Sequence, residues 1–366
     1  MTPNPPLGVV FHWLGGLAAG SFYVPYRKVK DWSWETYWLA GGVFSWIIAP
    51  SVLALLLSGD LAATLRETPA RTLGWVFLFG VLWGFGGLTF GLTMRYLGMS
   101  LGMAVVMGLC AAFGTLMPPA FAGEFAARLW DTHSGRMILL GVGVCLAGIA
   151  IAGFAGTSKE AEMSPEQKTE VIREFNFRKG LLVAIFSGVM SACFSYGLTA
   201  GEPIRRITTA HGTPPLWQGL PVLVVILLGG LLTNGVWCIA LNIKNHTGYQ
   251  YFRGEGKGGG RTPLAGNYLL CALAGVTWYF QFFFYTMGEA QMGSYKFSSW
   301  TLQMASIIIF SSLWGIALRE WKGTSARTRS LLAFSLAILV ASTVIVGYGN
   351  YLAIAPPAVS AQANRK

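Results

Sequence analysis

Charge is scarce in this sequence. Asp, Glu, Lys and Arg make up 11% of its 366 residues, whereas a soluble domain carries about 25%, so the chain cannot cover a water-facing surface. Its three aspartates, Asp31, Asp60 and Asp131, all lie between apolar runs, and there is no paired-carboxylate motif for metal or phosphoryl chemistry. The five cysteines (Cys110, Cys145, Cys193, Cys238 and Cys271) all lie inside apolar runs without metal-ligand spacing. Their odd number excludes a complete disulfide framework, and they read as small buried hydrophobes. Residues 1–10 contain no Lys or Arg, and the first apolar run continues into Tyr23, Pro25 and Tyr26; the opening segment therefore reads as a first span rather than a signal peptide. The Gly-rich stretch 253–261 lacks the spacing and the closing Lys-Ser/Thr of a P-loop and reads as a connector. The residues call for no metal and no cofactor, and an enzyme is disfavoured.

What is abundant is apolar sequence, 54% of the residues with mean hydropathy +0.53. It comes in uninterrupted runs of about 20 residues, the length a helix needs to cross the hydrocarbon core. Outer-membrane strands would instead alternate over about 10 residues. The pattern predicts an all-α polytopic membrane protein with ten transmembrane helices near 7–26, 36–57, 72–94, 98–122, 137–156, 180–201, 216–241, 265–288, 297–318 and 331–353. Pro50 and Pro118-Pro119 fall in or near span ends, where neighbouring helices can satisfy a kinked backbone.

One hydrophilic, mixed-charge connection, 157–179, separates five spans from five and reads as a solvated linker. Gly80-Val81-Leu82-Trp83 recurs as Gly275-Val276-Thr277-Trp278 at an offset of 195, and Phe85/Phe280 and Gly98/Gly293 match at the same offset. Five spans per half force the copies into opposite orientations, the inverted repeat of many secondary transporters. The expected units are a first five-helix repeat over 1–156, a cytoplasmic linker over 157–179 and a second repeat over 180–366. Of the 26 Lys and Arg, 17 lie in loops after odd-numbered spans, so the positive-inside rule puts those loops in the cytoplasm and both termini in the periplasm of a bacterial inner membrane. The net charge of +11 is thereby explained by topology and lipid rather than by nucleic acid.

Polar side chains at membrane depth are costly and are functional candidates by default. His12 is the only one of the four histidines inside a span. At helical spacing it heads a stripe with Gly16, Ala19, Tyr23 and Tyr26, and its reference pKa of about 6.5 suits a proton carrier. In span eight, Trp278, Gln281, Tyr285 and Glu289 share a face. Indole and phenol rings offer flat apolar faces with polar edges, and an amide both donates and accepts; together they match a sugar's C–H faces and hydroxyl rim. Trp300 and Gln303 in span nine and Asn234 with Trp237 in span seven repeat the theme, and Ser191, Ser195 and Thr199 make a small polar stripe in span six. Tyr23, Trp83, Asn234, Trp278, Gln281, Tyr285, Trp300 and Gln303 form the expected substrate-binding set, and His12, Glu289 and Glu35 the expected proton-coupling set. Gly80, Gly84, Gly87 and Gly91 form a packing face. Lys28, Glu35 and Arg95 stand at span ends, where they read as anchors or as a gate built on an ion pair with Glu35.

The strings Phe22-Tyr23-Val24-Pro25-Tyr26-Arg27-Lys28-Val29-Lys30-Asp31-Trp32-Ser33-Trp34-Glu35-Thr36, Gly91-Leu92-Thr93-Met94-Arg95-Tyr96-Leu97-Gly98-Met99-Ser100 and Trp278-Tyr279-Phe280-Gln281-Phe282-Phe283-Phe284-Tyr285 resemble the bacterial L-rhamnose–proton symporters of the drug/metabolite transporter superfamily. The resemblance, which runs along nearly the whole chain, implies inner-membrane uptake of a sugar with a proton, at a site near the midplane between the inverted halves. The sequence departs from the family pattern at Glu289, where a histidine is expected, near Lys296, where an acidic residue is expected, and in an enlarged 243–265 loop. L-Rhamnose, or a related 6-deoxyhexose, is the first-choice substrate. The sequence leaves open an exporter or exchanger of another metabolite and a sugar-binding sensor without transport, and it does not fix the oligomeric state.

Overall fold

The computed structural model describes residues 4–121, 125–162, 176–254, 263–292 and 299–354. Among them there is helix and no strand. Where water is excluded, a backbone must pair its own N–H and C=O groups, and an apolar chain does this residue by residue as a helix. The ten apolar runs become α1 (Pro5–Tyr26), α2 (Trp34–Leu57), α3 (Ala70–Leu97), α4 (Met99–Phe121), α5 (His133–Glu162), α6 (Phe177–Ala200), α7 (Leu220–Lys244), α8 (Leu264–Gln291), α9 (Ser299–Ala317) and α10 (Ala326–Ile354). Eight of these, all but α4 and α9, are long and apolar enough to cross a membrane; α4 and α9 hold the shorter apolar segments Leu101–Gly114 and Leu302–Ala317. The chain is a multi-pass membrane protein.

Local chemistry sets the helix ends. The Asn4 side chain accepts from the Leu7 N–H and Pro5 occupies the first turn of α1; the Asn176 side chain accepts from the Lys179 N–H to start α6. At the far end of α3, Gly98 has φ of 81°, a left-handed conformation that a side chain would oppose. Before Pro50, which has no N–H to give, α2 widens into a π segment over Val43–Ile48.

Helix α5 runs six residues past the expected end of its span, from 156 to Glu162. The Glu162 carboxylate accepts from the Thr328 and Ser325 hydroxyls at 2.6 and 2.8 Å, and from the Ser325 backbone N–H, at the start of α10. Those bonds hold its carboxyl well below the usual carboxylate range, at about 2. Lys159 is buried with its ammonium 4.3 Å from the Trp321 ring. Tertiary contacts with the α9–α10 turn thus extend a helix that its own polar sequence would end. The rest of the expected linker, 163–175, and most of the Gly-rich loop, 255–262, lie outside the described residues, as does Lys296.

In packing, α1 lies against α8 and α9, and α6 against α3 and α4. Helix α3 also packs on α7, α8 on α2, and α5 on α10. Lipid tails are as apolar as leucine, so close backbone approach rather than hydrophobic burial draws helices together. The approach is tightest at Gly80, where an added Cβ would overlap the Ile226 carbonyl of α7, and at Gly275, where it would overlap the Gly41 carbonyl of α2.

Candidate functional site

A cavity opens between α1, α3, α4, α6, α8 and α9. Helical spacing on α8 brings Trp278, Gln281, Phe282 and Tyr285 to its wall; α9 contributes Trp300, Gln303, Met304 and Ile307. Trp83 and Phe90 of α3, Ser191 and Phe194 of α6, Phe22 of α1, and Met107 and Cys110 of α4 complete most of the lining.

One part of the wall is aromatic. Phe22 and Trp278 meet edge to face with ring centroids 4.0 Å apart, Phe90 lies 6.0 Å from Trp278, and Phe194 stacks on Phe282 at 4.4 Å. Another part is polar. Gln303 reaches His12, whose Nδ1 is 3.4 Å from the Gln303 Oε1, and Tyr285 lies edge-on to the His12 ring at 5.4 Å and to the Trp300 ring at 5.9 Å. An amide oxygen only accepts, so with the Gln303 amide in this orientation a neutral His12 donates from Nδ1 and presents Nε2 as its acceptor. His12 is fully buried, and its Nε2 has no hydrogen-bond partner among the described residues. The same is true of the indole Nε1 atoms of Trp278 and Trp300. A buried polar atom without a partner is costly; Trp278 and Trp300 belong to the cavity lining, where a polar solute could satisfy them, while His12 stands behind Gln303 against Gly288. The imidazole is held flat against α8 because Gly288 has no side chain: a Cβ there would sit 2.8 Å from His12 Cε1 and Nε2.

Trp83, Trp278, Gln281, Tyr285, Trp300 and Gln303 of the expected binding set therefore line one cavity, with His12 directly behind Gln303. Two members lie elsewhere. Tyr23 packs on Phe22 and Tyr26, at 5.8 and 5.9 Å, one layer back from the wall. Asn234 accepts from the Trp38 indole at 2.9 Å and donates to the Gly84 and Gly230 carbonyls. It thereby supports the cavity indirectly, since Trp38 lies edge-on to Trp278 at 5.3 Å. Trp237 is half exposed on the outer face.

The proton-coupling candidates are also separated. Glu289 lies one turn beyond Tyr285, paired with Arg205 at 2.7 Å. Glu35 is buried far from it in sequence and space, on α2, where its carboxylate accepts from the Asn245 amide and the Thr247 hydroxyl, both at 2.9 Å. Its partners among the described residues are thus an amide and a hydroxyl, and Lys28 is exposed while Arg95 is half-buried at the end of α3. Among the described residues an ion pair at that end joins Arg27 to Glu320, at 3.7 Å. Sequence reasoning missed Arg205, Phe22 and Phe90. The two phenylalanines look like any other apolar residue of a span, and Arg205 stands next to Arg206 in a loop. The usable signal was Ile204, Arg205 and Thr208 falling on one face of a short helix, Glu202–Ala210.

An all-helical multi-pass bundle that encloses an aromatic and amide-lined cavity, with a buried imidazole at its edge, defines a membrane protein built to take a small polar solute into its interior. The model of the L-rhamnose-proton symport protein family (RhaT) matches residues 1–352. An L-rhamnose-proton symporter of Cronobacter sakazakii is 41% identical over 346 residues, which cover 94% of this chain and 97% of the relative. L-rhamnose-proton symporters of Klebsiella pneumoniae and Salmonella newport are each 39% identical over the same shares. The chain belongs to the L-rhamnose-proton symport family, a family of transporters and not of enzymes.

Proposed function

We propose that this protein carries L-rhamnose into the cell together with a proton, across a bacterial inner membrane. The observation that carries the reading is the cavity itself: unpartnered indole N–H groups of Trp278 and Trp300 and the amides of Gln281 and Gln303 for hydroxyls, beside aromatic and Met/Ile surface for C–H faces and a methyl group. The names of the 39–41% identical relatives point to the same sugar. In this reading His12 and Glu289 together carry the coupled proton, with Glu35 as a further candidate. Inward movement of one proton supplies about 2.3 kcal/mol per 100 mV of membrane potential.

The proposed architecture is ten spans in two inverted five-helix repeats, 1–156 and 180–366, joined by the linker 157–179. It is supported by the symmetry of the packing. Exchanging α1 with α6, α2 with α7, α3 with α8, α4 with α9 and α5 with α10 turns α1–α8 contact into α6–α3, α1–α9 into α6–α4, and α3–α7 into α8–α2. Gly80 and Gly275, which are 195 residues apart, make the same kind of carbonyl contact in the α3–α7 and α8–α2 pairs. The basic loops put both termini in the periplasm, which makes the end of the bundle holding Arg205 and Glu289 the outer one.

The test is counterflow in proteoliposomes: vesicles preloaded with L-rhamnose are expected to take up labelled L-rhamnose, and to take up labelled D-glucose or L-alanine poorly. Absence of L-rhamnose exchange in a folded preparation would overturn the substrate; uptake insensitive to an imposed pH gradient would overturn the coupling.

A further inference from the structure

The short helix Glu202–Ala210, between α6 and α7, carries two adjacent arginines with opposite fates. Arg206 is 80% exposed and meets Glu202 on the surface at 3.7 Å. Arg205 is 5% exposed, on the inward face with Ile204 and Thr208, and its Nη1 donates to Glu289 Oε2 at 2.7 Å; Glu289 itself is 13% exposed. Taking two charges out of water is expensive, and their attraction repays it only when the remaining donors are also satisfied. Here they are not, because the Arg205 Nε is buried with no hydrogen-bond partner among the described residues. The described contact is one hydrogen bond rather than the two-pronged fork that an arginine and a carboxylate can make. A pair built only for rigidity would be better served by that fork or by apolar packing.

The position of the pair is equally pointed. Glu289 follows Gly288, the residue against which the His12 imidazole lies, and is one turn from Tyr285 on the cavity wall. Arg205 comes from a different layer. Its helix packs on the short helix Leu61–Glu67, and the following turn is fixed there by His211 to Glu67 at 2.9 Å and by the Gly59 N–H to Thr213 at 2.9 Å. The titratable and charged groups near Glu289 include Arg205, with Glu202 on the same short helix, His12 on α1 and Tyr285 on α8 itself.

We propose that Arg205 is a positioning residue for proton coupling: its guanidinium is a displaceable counter-ion that pairs with Glu289 and ties the end of α8 to the Glu202–Ala210 helix until a proton replaces it. The proposal rests on reading the chain as a proton-coupled sugar carrier. When Glu289 takes up a proton, the attraction to Arg205 falls to that of a neutral hydrogen bond. The end of α8 is then free to move relative to the α6–α7 connection, and with it Gly288, the surface that fixes His12. Loading of the proton and opening of this end of the cavity become one event.

The test compares the pH dependence of L-rhamnose uptake in proteoliposomes for wild type, R205Q, R205K, E289Q and R205Q/E289Q. Without the guanidinium an incoming proton has no counter-ion to displace, so the R205Q uptake profile is expected to move to higher pH by about one unit, a roughly tenfold change in the proton concentration at half-maximal uptake. R205K is expected to return most of the way to wild type. In the E289Q background, R205Q is expected to add no further shift. A wild-type profile for folded R205Q, or an equal shift in the E289Q background, overturns the proposal. If R205Q alone does not fold, the doubly neutral R205Q/E289Q variant decides: exchange that has lost proton-driven accumulation supports the role, and intact accumulation overturns it. Failure of wild type to exchange L-rhamnose would count against the substrate reading only, because the same shift can be read with whichever solute wild type moves with a proton.

Discussion

Trp278→Phe separates two things that one indole does. Its ring lies 4.0 Å from Phe22 and 5.3 Å from Trp38, and a phenyl ring keeps most of that packing. Its Nε1–H, buried without an acceptor among the described residues, disappears. In the empty protein that donor costs about 1–3 kcal/mol, which a sugar hydroxyl in the cavity would relieve. The variant is therefore expected to bind L-rhamnose about 1–3 kcal/mol more weakly, roughly 5- to 150-fold in Kd. Its stability without sugar should fall by much less than the about 3–5 kcal/mol of a Trp truncated to Ala, since lost ring area is offset by removal of an unsatisfied donor. Trp300→Phe should act in the same direction, because its Nε1 is in the same condition. Isothermal titration calorimetry in detergent reads the affinity, and a thermal melt of the same sample reads the fold. A Kd within about twofold of wild type in both variants, with melting unchanged, would refute the assignment of these indoles as sugar donors.

Three further outcomes are expected. His12→Gln should lose accumulation driven by a pH gradient yet keep L-rhamnose counterflow, which needs no net proton movement; a variant that still concentrates the sugar in a proton-dependent way would make His12 structural. Gly275→Val should abolish the folded species in size-exclusion chromatography, because even a Cβ there overlaps the Gly41 carbonyl, and Gly80→Val should do the same against Ile226; normal elution of either would refute the close-approach account. A C-terminal alkaline phosphatase fusion should be active and a green fluorescent protein fusion dark, and the reverse would invert the proposed orientation without touching the helices.

Much of the molecule is legible in the sequence. The apolar runs became helices, eight of them among the described residues long and apolar enough to cross a membrane, because an apolar chain withdrawn from water has few other ways to pair its backbone. The α8 stripe of Trp278, Gln281 and Tyr285 came to the cavity wall as its spacing of three and four required, and Trp300 and Gln303 followed for the same reason. The depth of His12 was evident from its span, since the run on either side of it is apolar.

What a span cannot reveal is the neighbour of each of its faces, and in a membrane helix hydrophobicity does not tell inside from outside. Asn234 and Tyr23 had the right chemistry, but only the crossing of α7 with α2 and α3, and of α1 with its neighbours, decided that they stand one layer behind the wall. Glu35 had a plausible cation at hand in sequence; the fold gave its carboxylate to Asn245 and Thr247 instead. The extension of α5 to Glu162 depended on hydroxyls at the start of α10, more than 160 residues away. Arg205 is the sharpest case, for it and Arg206 are the same residue type side by side, and only the docking of one short helix buries the first against Glu289 and leaves the second in water. Segment length and periodicity are local properties that a sequence determines by itself. Which polar group meets which is set by long-range helix crossings, and those are fixed by the close fit of glycine faces that come together only in the folded bundle.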